Sequence, residues 1–144
     1  MITSDNTEKN NYSDNNPKNE DKSIVLKIAS PLAQVFGKST SVSQPPVIVN
    51  GRTMLPIRFI AENTGYNTEW SQNDKKAVIS LDDNVVEIHE NSDIAYINGE
   101  EIKIDSAAFN NNGTLFVPAR FIFEAFGADV LWNAADKSIS INFK

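Results

Sequence analysis

The residues with the greatest chemical potential form four groups. His89 follows Glu87 by two positions and lies near Glu90 and Asp93, a grouping that could hold a metal ion through one imidazole and several carboxylates. Arg58 with Glu62 and Arg120 with Glu124 carry opposite charges four residues apart, the spacing of neighbours on one helix face; the arginines could grip an anionic polymer, or close onto their own glutamates. Trp70 and Trp132 offer broad, flat, amphipathic faces on which a sugar ring can stack. Tyr66 and Tyr96 complete the set of candidate ligand or partner contacts.

Each group has a plainer structural reading. The chain contains one histidine and no cysteine, so an imidazole-rich or thiolate metal centre cannot be assembled, and the expectation is no metal site and no cofactor. Asp82, Asp83, Glu87, Glu90, Asp93, Glu100, Glu101 and Asp105 make the middle of the sequence acidic, but without the alternating Asp-x-Asp-x-Asp-Gly order of a calcium loop they read as a solvated face. One histidine also rules out arguing for a Ser-His-Asp set, and no Gly-x-x-x-x-Gly-Lys phosphate loop is present. No pair of carboxylates is singled out for glycoside cleavage, so a carboxylate-based hydrolase is the weakest functional reading.

Charge and hydropathy narrow the partners. A formal net charge of -6 repels phosphate backbones, which argues against nucleic acid. No apolar run approaches the roughly 18 residues of a membrane span. Residues 1–23 are rich in asparagine (Asn6, Asn10, Asn11, Asn15, Asn16, Asn19) and poor in bulky apolar groups, the composition of a disordered arm.

The elements that position the candidates come in duplicate. Shifted by 62 residues, the chain aligns with itself without a gap: Asn50-Gly51 on Asn112-Gly113, Pro56 on Pro118, Arg58-Phe59-Ile60 on Arg120-Phe121-Ile122, Gly65 on Gly127 and Trp70 on Trp132. The units divide at 24–84 and 85–144. Each reads as a hairpin, two further strands, a short helix opened by proline and two closing strands. Asn-Gly steps mark turns, because both residues accept positive φ; in the first unit the corresponding turn is expected at Gly37-Lys38. The helices are expected over about 57–64 and 119–126, burying Ile57, Ile60, Ala61 and Thr64 in one and Ala119, Ile122, Phe123 and Phe126 in the other. This gives an α+β fold, a tandem repeat of small units, each an antiparallel sheet of about five strands packed around one short α-helix. The opening hairpin of a unit could pair within its own copy or with the last strand of the preceding copy, and exposed sheet edges would invite a homodimer. Recurrence of the tryptophans at equivalent positions favours a fold-defining role for them. Tyr66 and Tyr96 fall opposite Ala128 and Gln34, which makes them candidates for copy-specific contacts.

The segments VNGRTMLPIRFIAENTGYNTEW (49–70) and NNGTLFVPARFIFEAFGADVLW (111–132) resemble the signature of the copper amine oxidase N-terminal-like (stalk) domain, present here as two tandem copies. The resemblance implies a five-stranded antiparallel sheet twisted around one helix. It also implies export, with any signal peptide already removed, as in secreted and wall-associated proteins of Gram-positive bacteria. It does not imply amine oxidase chemistry: Asn11-Tyr12-Ser13-Asp14 departs from the oxidase's cofactor-forming site after the tyrosine and has no histidine set beside it. The expected role is a non-catalytic cell-surface module, not an enzyme, acting as a spacer or as a contact to a surface protein or cell-wall polymer, with carbohydrate binding to wall glycan or polysaccharide as the alternative.

Overall fold

The computed structural model describes residues 22–143, so the asparagine-rich arm and its Asn-Tyr-Ser-Asp segment lie outside the described residues, apart from Lys22 and Ser23. Ser23 already opens a strand. The first repeat runs β1 (Ser23–Lys27), β2 (Leu32–Val35), β3 (Lys38–Ser41), β4 (Val47–Val49), β5 (Arg52–Pro56), α1 (Ile57–Asn63), β6 (Asn67–Ser71) and β7 (Lys76–Leu81). The second gives the same elements: β8 (Asn84–His89), β9 (Ile94–Ile97), β10 (Glu100–Lys103), β11 (Phe109–Asn111), β12 (Thr114–Pro118), α2 (Ala119–Ala125), β13 (Asp129–Asn133) and β14 (Ser138–Asn142). The fold is α+β, dominated by antiparallel sheet.

Sheet membership crosses the repeat boundary. One five-stranded sheet has the order β10-β9-β8-β7-β6, so the opening strands of the second repeat join the closing strands of the first. The other five-stranded sheet has the order β13-β14-β1-β2-β3, the same arrangement with the repeats exchanged. A four-stranded sheet, β11-β12-β5-β4, joins the halves through their middle strands. The registers obey the same symmetry. Ala77 pairs with Ile88 and Ile79 with Val86; at positions shifted by 62, Ile139 pairs with Leu26 and Ile141 with Ile24. The opening hairpin of the second repeat thus pairs with the preceding repeat's last strand, and the chain's first described strand pairs with its last.

Both halves contribute to one buried apolar cluster, which includes Ile24, Leu26, Leu55 and Ile60 from the first and Ile88, Val117, Ile122 and Phe123 from the second. Pro56 and Pro118 end strands with extended backbone and cap the helices that follow, one position ahead of the expected helical start. A fixed φ and the missing N–H suit proline to this junction. All six glycines have positive φ. At Gly127 this reversal closes a Schellman motif: the Gly127 N–H donates to the Glu124 carbonyl at 3.0 Å and the Ala128 N–H to the Phe123 carbonyl at 3.1 Å. α1 finishes differently, with the Thr64 hydroxyl donating to the Ile60 carbonyl at 2.7 Å and the Asn63 side-chain amide to the Phe59 carbonyl at 3.0 Å.

Candidate functional site

The two helices bury different positions. In α1 the buried residues are Phe59 and Ile60, while Ala61, expected in the core, is exposed. In α2 they are Ala119, Ile122 and Phe123, and Phe121 is only half-buried. The large buried aromatic has moved by two positions between the copies. One helix therefore presents a methyl group where the other buries a phenyl ring.

This difference shapes two grooves related by the repeat. The first, about 750 Å³, runs between Arg58 and Ala61 of α1, Trp70 of β6, Ala77 of β7 and the β11–β12 turn at Asn110 and Gly113. The second, about 690 Å³, has the equivalent walls: Arg120 of α2, Trp132 of β13, Ile139 of β14, and Ile48 and Gly51 at the β4–β5 turn. Each groove takes its arginine and tryptophan from one repeat and its Asn-Gly turn from the other. At both turns Asn and Gly have positive φ (Asn50 53°, Gly51 72°; Asn112 53°, Gly113 82°), the geometry of a tight two-residue hairpin.

The structure thus brings Arg58 together with Trp70, and Arg120 with Trp132. Neither tryptophan is a core residue: Trp70 is 41% exposed and Trp132 40%. Both stand on edge strands, β6 and β13, whose single neighbour leaves one flank of the ring uncovered. The Trp70 indole N–H donates to Gln72 Oε1 at 2.9 Å, which fixes the plane of the ring. The arginines differ. Arg120 Nη1 donates to Glu124 Oε2 at 2.9 Å, the expected closure onto its own helix. Among the described residues no carboxylate lies within ion-pair distance of Arg58, and the equivalent closure onto Glu62 is absent. In the second groove Arg52 is also occupied, donating to Asp105 Oδ2 at 2.6 Å.

Comparison with known families gives a match to the copper amine oxidase N-terminal domain over residues 14–73 and again over 34–141. Together the matches span most of the chain, and the longer one runs from the first repeat into the second. The chain belongs to this family. No curated protein matches it at significant similarity.

The copper amine oxidase N-terminal domain is a non-catalytic, stalk-like part of those enzymes. The donor set here does not fit their copper. Among the described residues no three His, Cys, Asp or Glu side chains come together, and the chain's single imidazole is engaged with a carboxylate. His89 Nε2 lies 2.7 Å from Glu87 Oε2 and donates the proton, since an ionised carboxylate can only accept. This bond, helped by Lys76 at 3.5 Å and opposed by partial burial, holds the Glu87 carboxyl below its ordinary value. Tyr96 belongs to the same group: it pairs across the strands with Glu87 and its ring lies edge-on to His89 at 6.1 Å. It is half-buried, on a different sheet face from either groove's tryptophan set.

Tyr66 departs from expectation. It is 5% exposed and cannot act as a surface contact. Gly65 turns the chain inward after α1, and the ring packs at 4.6 Å from Phe126, 6.0 Å from Phe123 and 6.2 Å from Phe143. All three neighbours belong to the second repeat, and their counterparts in the first are Ala61, Thr64 and Leu81, so the cluster has no equal elsewhere in the repeat. Burial pushes the Tyr66 phenol up to about 12. Sequence reasoning missed the groove residues Gln72 and Asn110. Their signal was available, since both are polar where the repeat partners, Ala134 and Ile48, are apolar.

Proposed function

We propose that this domain is a non-catalytic binding module of an exported, cell-surface protein, and that its two tryptophan-lined grooves form the contact face for a cell-envelope partner. One observation carries the reading. Large, partly exposed indoles recur at equivalent places beside an arginine and a turn contributed by the other repeat, in open grooves rather than in the core. Scattered exposed apolar residues need no explanation, but a tryptophan set in a concave wall among polar groups is the usual anatomy of a recognition site. No described helix is long and apolar enough to cross a membrane, so attachment would come from contacts or from covalent neighbours.

A homodimer through sheet edges is a secondary reading. The edge strands of the five-stranded sheets include β3, with Lys38, and β10, with Glu100, Glu101 and Lys103; such charges disfavour strand addition.

The test is sedimentation of the whole chain with Gram-positive cell walls and with their extracted surface proteins, against Arg58→Ala/Trp70→Ala and Arg120→Ala/Trp132→Ala variants whose melting curves match the parent. Retention should fall at least tenfold in one or both variants. Equal retention of all three proteins would refute the groove assignment.

A further inference from the structure

We infer that the two grooves have diverged, and that the one built on Arg58, Trp70, Gln72 and Asn110 binds an uncharged sugar chain while its twin does not. This rests on the binding-module reading and specifies the ligand of one groove. The repeat supplies an internal comparison, because the frame is the same and only the lining differs.

The floor of the first groove is small: Ala61 and Ala77 stand where the second repeat has Phe123 and Ile139. Ala61 is exposed on the groove wall, whereas Phe123 is buried against Tyr66 and Phe143; the two alanine side chains leave room for a ring lying against Trp70. The rim is polar. Gln72, Asn110 and Glu69 replace Ala134, Ile48 and Leu131. Two of these groups are already oriented. Gln72 Oε1 accepts from the Trp70 indole, leaving its amide protons free to donate. Asn110 Oδ1 accepts from the Gly113 N–H at 3.1 Å, leaving the Asn110 amide protons free in the same way. The Arg58 guanidinium adds further donors, and the carboxylates of Glu69 and Glu90 accept.

Charge selects against an ionic ligand. Arg58 and Lys75 are matched by Glu69 and Glu90, so the groove holds both signs in equal number. A flat hydrophobic platform ringed by mixed donors and acceptors complements a pyranose, which presents an apolar C–H face and equatorial hydroxyls that both donate and accept. The twin groove differs in its lining. Its arginines are spent on Asp105 and Glu124, and exposed apolar side chains, Ile48 at 46% and the neighbouring Leu131 at 62%, stand where the first groove has Asn110 and Glu69.

The chain's two tryptophans allow each groove to report separately. In Trp132→Phe, Trp70 is the sole indole; in Trp70→Phe, Trp132 is. The probes are cellohexaose and chitohexaose as neutral chains and an oligogalacturonate as the anionic control, followed by indole fluorescence. We expect a saturable change with a neutral hexasaccharide in Trp132→Phe, none in Trp70→Phe, and at least tenfold weaker binding when Asn110→Ala or Gln72→Ala is added to Trp132→Phe. A stronger response to oligogalacturonate, a response confined to Trp70→Phe, or none in Trp132→Phe up to millimolar sugar would overturn the inference. Retention on cell envelopes that survives in Trp70→Phe but is lost in Trp132→Ala would overturn it too, while leaving the binding-module reading in place. Loss of envelope retention in neither variant would sink that reading itself.

Discussion

Leu55 and Val117 lie opposite one another in the ladder between β5 and β12, and each holds in its own repeat the place the other holds in its copy. The axis relating the two halves passes through this pair. Both side chains are fully buried, and the flanking partners, Phe116 with Pro56 and Pro118 with Met54, obey the same exchange. Reversing the pair, Leu55→Val with Val117→Leu, keeps volume and symmetry together and should cost less than about 1.5 kcal/mol. Leu55→Ala leaves a cavity at the axis and should cost about 2–5 kcal/mol. Urea unfolding of the two variants beside the parent reads both values; a reversed pair as damaging as the cavity would show that the halves do not meet symmetrically.

The exchange of strands makes each repeat half a fold. Residues 22–82 alone would leave β1–β3 without β13 and β14, and β6–β7 without β8–β10. Each half should be largely unfolded by circular dichroism, and mixing 22–82 with 83–144 should restore sheet signal in a one-to-one complex. A cooperatively folding, monomeric half would contradict this.

Asn98 should be among the most sensitive turn residues. Its φ is 51°, its Oδ1 accepts from the Val85 N–H at 2.7 Å, and its own N–H donates to the Val85 carbonyl at 2.8 Å. Asn98→Ala removes the side-chain bond and leaves a residue that tolerates left-handed backbone less readily than asparagine does, together about 2 kcal/mol. Asn98→Gly keeps the backbone freedom and should recover part of that loss. Chemical denaturation of both variants is the measurement, and an alanine variant as stable as the parent would dismiss the turn's importance.

Tyr66 predicts an alkaline limit to stability. Its pKa is raised in the fold from 10.0 to about 12, so the fold favours the neutral phenol. That contribution is complete below the unfolded value near 10 and disappears as pH rises through 12. Melting temperature measured from pH 8 to 11.5 should fall more steeply in the parent than in Tyr66→Phe. Parallel curves would place the phenol in contact with water.

The local plan was legible because its signals are local. Asn50-Gly51, Asn98-Gly99 and Asn112-Gly113 form turns where the sequence puts them, and α1 and α2 end within a residue of expectation. The first hairpin differs. Its turn is Phe36-Gly37 rather than Gly37-Lys38, with Phe36 at φ 51° in the place of Asn98. A phenylalanine in that conformation is unfavourable by itself, and its ring packs 5.9 Å from Phe143, a contact no sequence window contains. The partner of each opening hairpin was left open between its own copy and the preceding one for a related reason. β1 and β8 are equivalent, so the apolar alternation of β14 suits either as neighbour, and only closure of the whole fold decides between them. Of the candidate contacts, Arg58 with Trp70 and Arg120 with Trp132 converge, whereas Tyr66 is drawn into the interior by second-repeat phenylalanines too distant in sequence to foresee.

The pairing of β1 with β14 sets how the domain meets mechanical load. Ser23 and Asn142 are register partners, so the chain arrives and departs at the same end of one antiparallel ladder. Tension carried through both ends would open that ladder like a zipper, breaking its hydrogen bonds in succession from Asn142 toward Ser138 instead of shearing them all at once. Such a module hangs beside the line of force and would yield early, releasing chain length before a shear-loaded neighbour gave way.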